Sequence, residues 1–336
     1  MKKRILSAIL ATAMISTVFA GCANKSATSS AASAASAAAS TPAASAAAGQ
    51  TEYAIVLKNQ SSDFWVKMKD GVLAKAKELG VTVDVYAAQS EEDTEGQLKI
   101  LENCLTKNYK AIGVAPLSPV NLIPGIVKAN QKGMYVMDID EKIDMTTLKN
   151  SGGSVIAFAA TDNVAVGAKG AGYIIDKTPD GGKVAIIEGK AGNASGEARK
   201  QGAADAFKKN GKFTVVGSLP GDWDRQKALD VANSFIQSNP DLKGIYCCND
   251  TMALGALQAV INAGKVGKIM VVGTDGDTEA VKSVQEGKLS ATVAQDPAAI
   301  GATSLEQMVK AVKEKPAIDK NAEPKNIPIE SKLITK

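Results

Sequence analysis

The chain has 336 residues, with 39 basic and 35 acidic side chains, no histidine and a formal net charge of +4. Lys2, Lys3 and Arg4 are the only charges in residues 1–21, so without that segment the net charge falls from +4 to +1, which gives no electrostatic reason to bind nucleic acid or an anionic membrane surface. The missing histidine removes the commonest general base and the commonest metal ligand together.

The three basic residues precede an uncharged apolar run, Ile5 to Phe19. That pattern reads as a secretory signal, too short for a stable bilayer span of about 20 residues. It ends in Phe19-Ala20-Gly21-Cys22, which resembles a bacterial lipobox, in which Cys22 is lipidated and becomes the first mature residue. The alternative is ordinary signal cleavage beside an incidental cysteine. Residues 22–51 are Ala/Ser-rich and lack aromatic residues until Tyr53, so they cannot bury enough surface to offset chain entropy. They read as a tether whose ends lie roughly 30 Å apart if it is a flexible coil. The other cysteines, Cys104, Cys247 and Cys248, are odd in number and two are adjacent. They read as small buried hydrophobes.

From Tyr53 short apolar runs alternate with amphipathic segments. The runs are Ala54–Leu57, Val81–Tyr86, Ala111–Ala115, Tyr135–Ile139 and Val155–Ala160, with helices near Phe64–Leu79, Thr94–Lys107 and Leu122–Lys132. A second series has runs at Val184–Ile187, Thr214–Leu219, Ile245–Cys247, Ile269–Val272 and Ala291–Ala294. Its helices fit Ala165–Asp176, Glu197–Lys208, Arg225–Ser238, Thr251–Ala263, Glu279–Glu286 and Ala298–Lys315, before a strand-like end at Ile329–Ile334. Parallel strands are buried on both faces and need crossover helices, and the length favours two cores. The pattern predicts an α/β protein of two doubly wound parallel-sheet domains facing each other.

Enzyme signatures of such sheets are missing. Gly170-Ala-Gly172 has Ile175 where a dinucleotide-binding turn needs its third glycine. Gly189-Lys190 has Ala191 where a P-loop needs Ser or Thr, and Ser195 has Asn193 where a nucleophile elbow needs glycine. No Cys pair has metal-ligand spacing. These absences count against catalysis without deciding it, and no metal or cofactor is expected.

Ligands of open α/β sheets sit beyond the carboxyl ends of the strands. Lys58, Asp140, Asn249, Asp275 and Gln295 all fall there. Any one of them could be a solvated loop residue, and Asp250 reads as the cap of the helix starting at Thr251; five at corresponding positions in both halves point to a site for something neutral and polar. The only two tryptophans, Trp65 and Trp223, lie in polar segments after strands, Ser62-Asp63-Phe64-Trp65 and Gly221-Asp222-Trp223-Asp224. Flat aromatic faces with carboxylates, amides and a guanidinium around the edge suit a sugar ring and its hydroxyls. Arg199, early in a helix, is a surface residue or a site residue on spacing alone.

Longer segments then become specific. Glu52 to Lys58, Asp138 to Asp144, Thr161 to Gly170, Glu188 to Arg199, Asp222 to Arg225, Tyr246 to Met252 and Val271 to Gly276 resemble the D-allose-binding members of the ribose/allose/galactose branch of periplasmic-type sugar-binding proteins that feed ABC importers. The likeness runs over residues 52–336. It implies the type I periplasmic binding protein fold, with crossovers near Thr161, Gln295 and 324–328. The lobes would then be 52–161 plus 296–325 and 162–295 plus 326–336. It makes Phe64, Trp65 and Trp223 the stacking residues. Lys58, Asp140, Arg199, Asn249, Asp275 and Gln295 become the hydroxyl-binding set, and Ser62 stands as a ligand-binding candidate where the family has a further hydroxyl ligand. It also implies a monosaccharide ligand (D-allose or a close hexose or pentose), closure of the lobes on it and an ABC permease as partner. The chain is expected to be a monomer, held to the outer face of the cell membrane by the lipid that the lipobox-like end would place on Cys22. A receptor-coupled sensor or a binder of a furanosyl signal molecule is the alternative output. Two positions depart from that family: Ser62-Asp63 where it has Asn-Pro, and Asp138 where its allose-binding members have a neutral amide.

Overall fold

The computed structural model describes residues 51–336. The signal segment 1–21, Cys22 and the tether up to Gln50 lie outside the described residues. From Tyr53 the elements run β1 (Tyr53–Leu57), α1 (Asp63–Leu79), β2 (Val83–Ala87), α2 (Thr94–Cys104), β3 (Ala111–Val114), α3 (Ile123–Gln131), β4 (Tyr135–Ile139), α4 (Met145–Asn150) and β5 (Ala157–Thr161). The second series is α5 (Asn163–Lys177), β6 (Gly182–Glu188), α6 (Ala194–Asn210), β7 (Phe213–Pro220), α7 (Arg225–Ser238), β8 (Leu242–Cys247), α8 (Asp250–Asn262), β9 (Met270–Asp275), α9 (Thr278–Gln285) and β10 (Ala291–Ala294). It is followed by α10 (Pro297–Glu314), β11 (Lys325–Ile329) and β12 (Lys332–Ile334).

These strands form two six-stranded sheets, ordered β11-β5-β4-β3-β1-β2 and β12-β10-β9-β8-β6-β7. Among the described strands every pair is parallel except β10 with β12. In each sheet the first strand of its series is flanked by the second and the third, so the order reverses there, and a crevice opens beyond the carboxyl ends at that switch point.

The first sheet is buried on both sides because alternate residues of its strands point to opposite faces. Ile55 and Leu57 of β1 join Met137, Ile139, Met68, Ile300 and Met308 on one face. Ala54 and Val56 join Ile112, Val136, Leu101 and Ile126 on the other. The second sheet carries its own core around Ile186, Tyr246, Val272 and Phe207. Here Cys247 and Cys248 lie as free, buried thiols, as does Cys104 in the first lobe. Burial pushes the thiols up, that of Cys104 to about 11 and that of Cys248 to about 12, so they stay protonated and behave as small apolar groups.

The chain crosses between the sheets three times. After β5 it enters α5, which packs on α6, β9 and β10 of the second sheet; after β10 it enters α10, which packs on α1, β3, β4 and β5 of the first. The third crossing is later than the expected 324–328. Residues 325–329 pair with β5 as a parallel edge strand, and 332–334 pair with β10, so the crossing is at Glu330-Ser331. The strand-like end expected at 329–334 is therefore two strands in different sheets. Pro328 is tolerated in β11 because an edge strand can do without one amide donor. Helix α4 was not foreseen: six residues carry no helical period, and it is fixed by Asp144, whose side chain accepts from Thr147 N at 2.6 Å.

Candidate ligand-binding cleft

Between the carboxyl ends of the two sheets lies a cavity of about 220 Å³. It is smaller than the roughly 300–1,000 Å³ pockets that take drug-sized molecules, a size for one sugar ring. All ten residues named from the sequence line it: Lys58, Ser62, Phe64, Trp65, Asp140, Arg199, Trp223, Asn249, Asp275 and Gln295. Asn59, Ser61, Glu91, Ser195, Thr251 and Asp277 complete the lining. Glu91 lies in the loop four residues beyond β2, too far from the strand end for the apolar pattern to single it out. Asp138 does not line the cavity; its Oδ2 accepts from Ile143 N at 3.1 Å.

The aromatic walls come from both lobes. Phe64 and Trp65 occupy the first turn of α1, which begins at Asp63, one residue before the start expected from the sequence. Their rings meet edge to face, 5.0 Å apart at 84°, a favoured aromatic geometry. Trp223 is in the loop after β7, and its Nε1 donates to Asn193 Oδ1 at 3.0 Å. Its ring lies over Gly189, where a Cβ would come within 2.0 Å of it. Only glycine lets that wall stand where it does.

The polar edge is unusually constrained. Asp140, Asp222, Trp223 and Asp275 have φ of 63°, 51°, 64° and 120°, values that side chains rarely adopt. All four flank the cleft. Such outliers persist where the surroundings over-determine them, and they gather at ligand clamps.

In the first lobe, Lys58 Nζ donates to Glu141 Oε2 at 3.0 Å. Burial works against that ammonium, but the carboxylates of Glu141, Glu91 and Asp140 hold it above the ordinary lysine range. Burial pushes the Asp140 carboxyl up to about 6, held from going further by Lys58 and Arg199. In the second lobe, Arg199 donates to Asn163 Oδ1 at 2.8 Å, to the Cys248 carbonyl at 2.7 Å and to Asp275 Oδ1 at 3.3 Å. Gln295 Nε2 donates to the same Asp275 oxygen at 2.6 Å. Burial pushes the Asp275 carboxyl up to about 7 against the pull of Arg199. Among the described residues, Asp140 Oδ1 and Gln295 Oε1 are buried acceptors without a protein partner. Unpaired buried acceptors are costly, and hydroxyl donors would satisfy both.

One capping expectation is corrected. Helix α8 is capped by Asn249, whose Oδ1 accepts from Met252 N at 2.8 Å. Asn249 has the extended backbone (φ −150°) that a cap requires, while Asp250 is already inside the helix. The Asp250 carboxylate is fully buried, accepting from Thr292 Oγ1 at 2.7 Å and from Asp277 N at 2.8 Å. It ties β10 and the β9–α9 loop to α8.

The lobes touch on both rims of the cleft. On one rim Glu141 accepts from Ala194 N and Ser195, and Asn193 Nδ2 donates to the Leu117 carbonyl at 2.9 Å. On the other, Asp63 Oδ2 accepts from Thr278 N at 3.1 Å and from its hydroxyl at 2.8 Å. The structure is thus of closed lobes. Among the described residues no group of three or more His, Cys, Asp or Glu could hold a metal ion, and no helix is long and apolar enough to cross a membrane.

Comparison with known proteins agrees with the two-lobed fold. A family model described as a periplasmic binding protein domain matches residues 53–316. The D-allose-binding periplasmic protein of Escherichia coli K12 is 56% identical over 290 residues, covering 86% of this chain and 93% of its own. A ribose import binding protein of Haemophilus influenzae is 34% identical, over 77% of this chain and 85% of its own. Among solved structures, a periplasmic solute-binding protein of an ABC transporter from Actinobacillus succinogenes, with bound D-allose, superposes with a TM-score of 0.79 at 30% identity. It covers 84% of this chain and 97% of its own.

Proposed function

The chain belongs to the periplasmic binding protein family, and from that premise we propose that its cleft captures a monosaccharide, D-allose first among candidates, by closure of the two lobes. The observation that carries this reading is the single-ring cavity lined from both lobes by aromatic walls and a charged and amide edge. Sugar bridging the lobes stabilises the closed form through contacts that the open form lacks. A membrane permease of an ABC importer then recognises the closed form, and nothing chemical happens to the ligand. The matched relatives are transport binding proteins and not enzymes.

D-allose is favoured by the 56% identical relative and by the solved structure that holds it. Asp138, which departs from the allose-binding pattern, faces the Ile143 amide and not the cavity, so it does not argue against that sugar. Ser62 does line the cavity; there a shorter side chain gives up one two-point contact. We further propose a monomer tethered through lipidated Cys22 on the extracytoplasmic side.

Isothermal titration of protein freed of bound sugar by unfolding and refolding, against D-allose, D-ribose, D-psicose, D-galactose and D-glucose, tests the reading. Tight binding of D-allose alone is the expected result. Tight binding of another of these sugars keeps the role and changes the ligand, and no binding of any sinks the sugar reading.

A further inference from the structure

We propose that Glu141 is a positioning residue that couples the sugar contact of Lys58 to closure of the lobes; this rests on the sugar-binding reading above. Glu141 follows Asp140 at the end of β4, is fully buried and does not line the cavity. Its Oε2 receives Lys58 Nζ at 3.0 Å from the same lobe and Ser195 Oγ at 2.8 Å from the other. Its Oε1 receives the backbone amides of Ala194 and Ser195, the latter at 3.3 Å. Those amides open α6, so a carboxylate of the first lobe sits on the positive end of a helix of the second.

The two sets of bonds differ in when they can exist. The Lys58 bond lies within one lobe and survives opening. The three bonds to Ala194 and Ser195 span the cleft and exist only while it is shut. Opening therefore takes the carboxylate off the helix and leaves it on Lys58 alone. In the closed form its charge is shared with α6, while Lys58 is kept buried and oriented toward the cavity. Whatever Lys58 contributes to the ligand then depends on Glu141, although Glu141 touches no ligand. The same α6 brings Arg199 to the opposite side of the cavity, so a single helix end registers closure and delivers a ligand-binding side chain.

The test is Glu141→Gln in the full chain, which keeps the shape and removes the charge. D-allose affinity and release rate, the radius of gyration of the sugar-free protein, and the double-mutant cycle with Lys58→Met are measured. Affinity is expected to fall roughly thirtyfold or more, mainly through faster release. Sugar-free protein should expand in small-angle scattering, and the cycle should be strongly non-additive because the two side chains act as a unit. Wild-type affinity with wild-type scattering overturns the proposal, as does full additivity with Lys58→Met. If Glu141→Gln fails to fold, Lys58→Met/Glu141→Leu replaces the buried pair by apolar groups, which is often tolerated. It must also expand when sugar-free, and a wild-type radius overturns the proposal. Scattering needs no ligand, so a wild-type protein that binds no sugar would defeat the functional reading while leaving the closure role testable.

Discussion

The two rims of the cleft solve one problem in opposite dielectric settings. On each, a carboxylate from the first lobe accepts from the amino end of a helix in the second: Glu141 from α6, Asp63 from α9. Glu141 has no exposed side-chain surface and Asp63 has 44%. Water cannot replace the bonds of the first without a large penalty, whereas it competes with those of the second continuously. By bond count the contacts differ little, three at Glu141 against two at Asp63; burial makes the first a structural commitment and the second a catch that can open and shut.

The largest contrast should come from truncating each carboxylate. Glu141→Ala leaves the Lys58 ammonium buried without its partner, a situation that costs about 3–5 kcal/mol. Asp63→Ala removes a solvent-exposed contact, for which the expectation is about 0.2–1 kcal/mol. Urea unfolding of the sugar-free variants measures both, and equal losses would break the comparison.

Between the rims, Asp275 tests whether a buried carboxylate at the centre acts on the ligand. A charge-assisted bond to a hydroxyl is worth about 1.5–3 kcal/mol, so Asp275→Asn should weaken sugar binding by roughly ten- to a hundredfold. Near-wild-type affinity in calorimetry would remove Asp275 from the ligand set.

The buried centre should also respond to pH in the opposite sense to the exposed rim. Burial raises the Asp275 carboxyl to about 7 and the Asp140 carboxyl to about 6. The native state therefore holds these protons more tightly than the unfolded chain. Their contribution to stability is full below the ordinary aspartate range, near 3.8, and is lost as pH rises through about 6 to 7. Denaturant midpoints of the sugar-free protein between pH 4 and pH 7 should carry this falling component. Asp275→Asn should flatten it, and an unchanged slope in that variant would refute the assignment.

What could be read from the sequence follows from how local each signal is. Lys58, Asp140, Asn249, Asp275 and Gln295 stand immediately beyond apolar runs, so strand period and the strand-end rule place them without knowledge of tertiary packing. Glu141 was missed because its partners are 53 and 54 residues away, in the other lobe; no spacing along the chain encodes that meeting. The last crossing was misplaced for a related reason. Strands of five and three residues, in two sheets, read as one run when only apolar pattern is visible. Assigning the α8 cap to Asp250 failed because Asn and Asp cap equally well, and only the extended backbone at Asn249 decides between them.

The smallest expected effect is at Asp63, and its size is the point. Hydrogen bonds from the Thr278 hydroxyl and amide, with Lys67 alongside, hold its carboxyl below the ordinary aspartate value. A depressed group contributes above its unfolded pKa, and that contribution is lost as pH falls through the folded value, the reverse of Asp275. Lys67 Nζ lies 3.4 Å from Asp63 Oδ2, with its own side chain 40% exposed, so this rim is screened by salt. Asp63→Asn should therefore change sugar affinity by no more than about fivefold, and the difference from wild type should shrink between about 0.01 and 1 M salt. Glu141→Gln, in its dry setting, should keep its deficit over the same range. Affinities of both variants measured across that salt series give the sharpest form of the comparison, because a catch and a commitment differ in what the solvent can do to them.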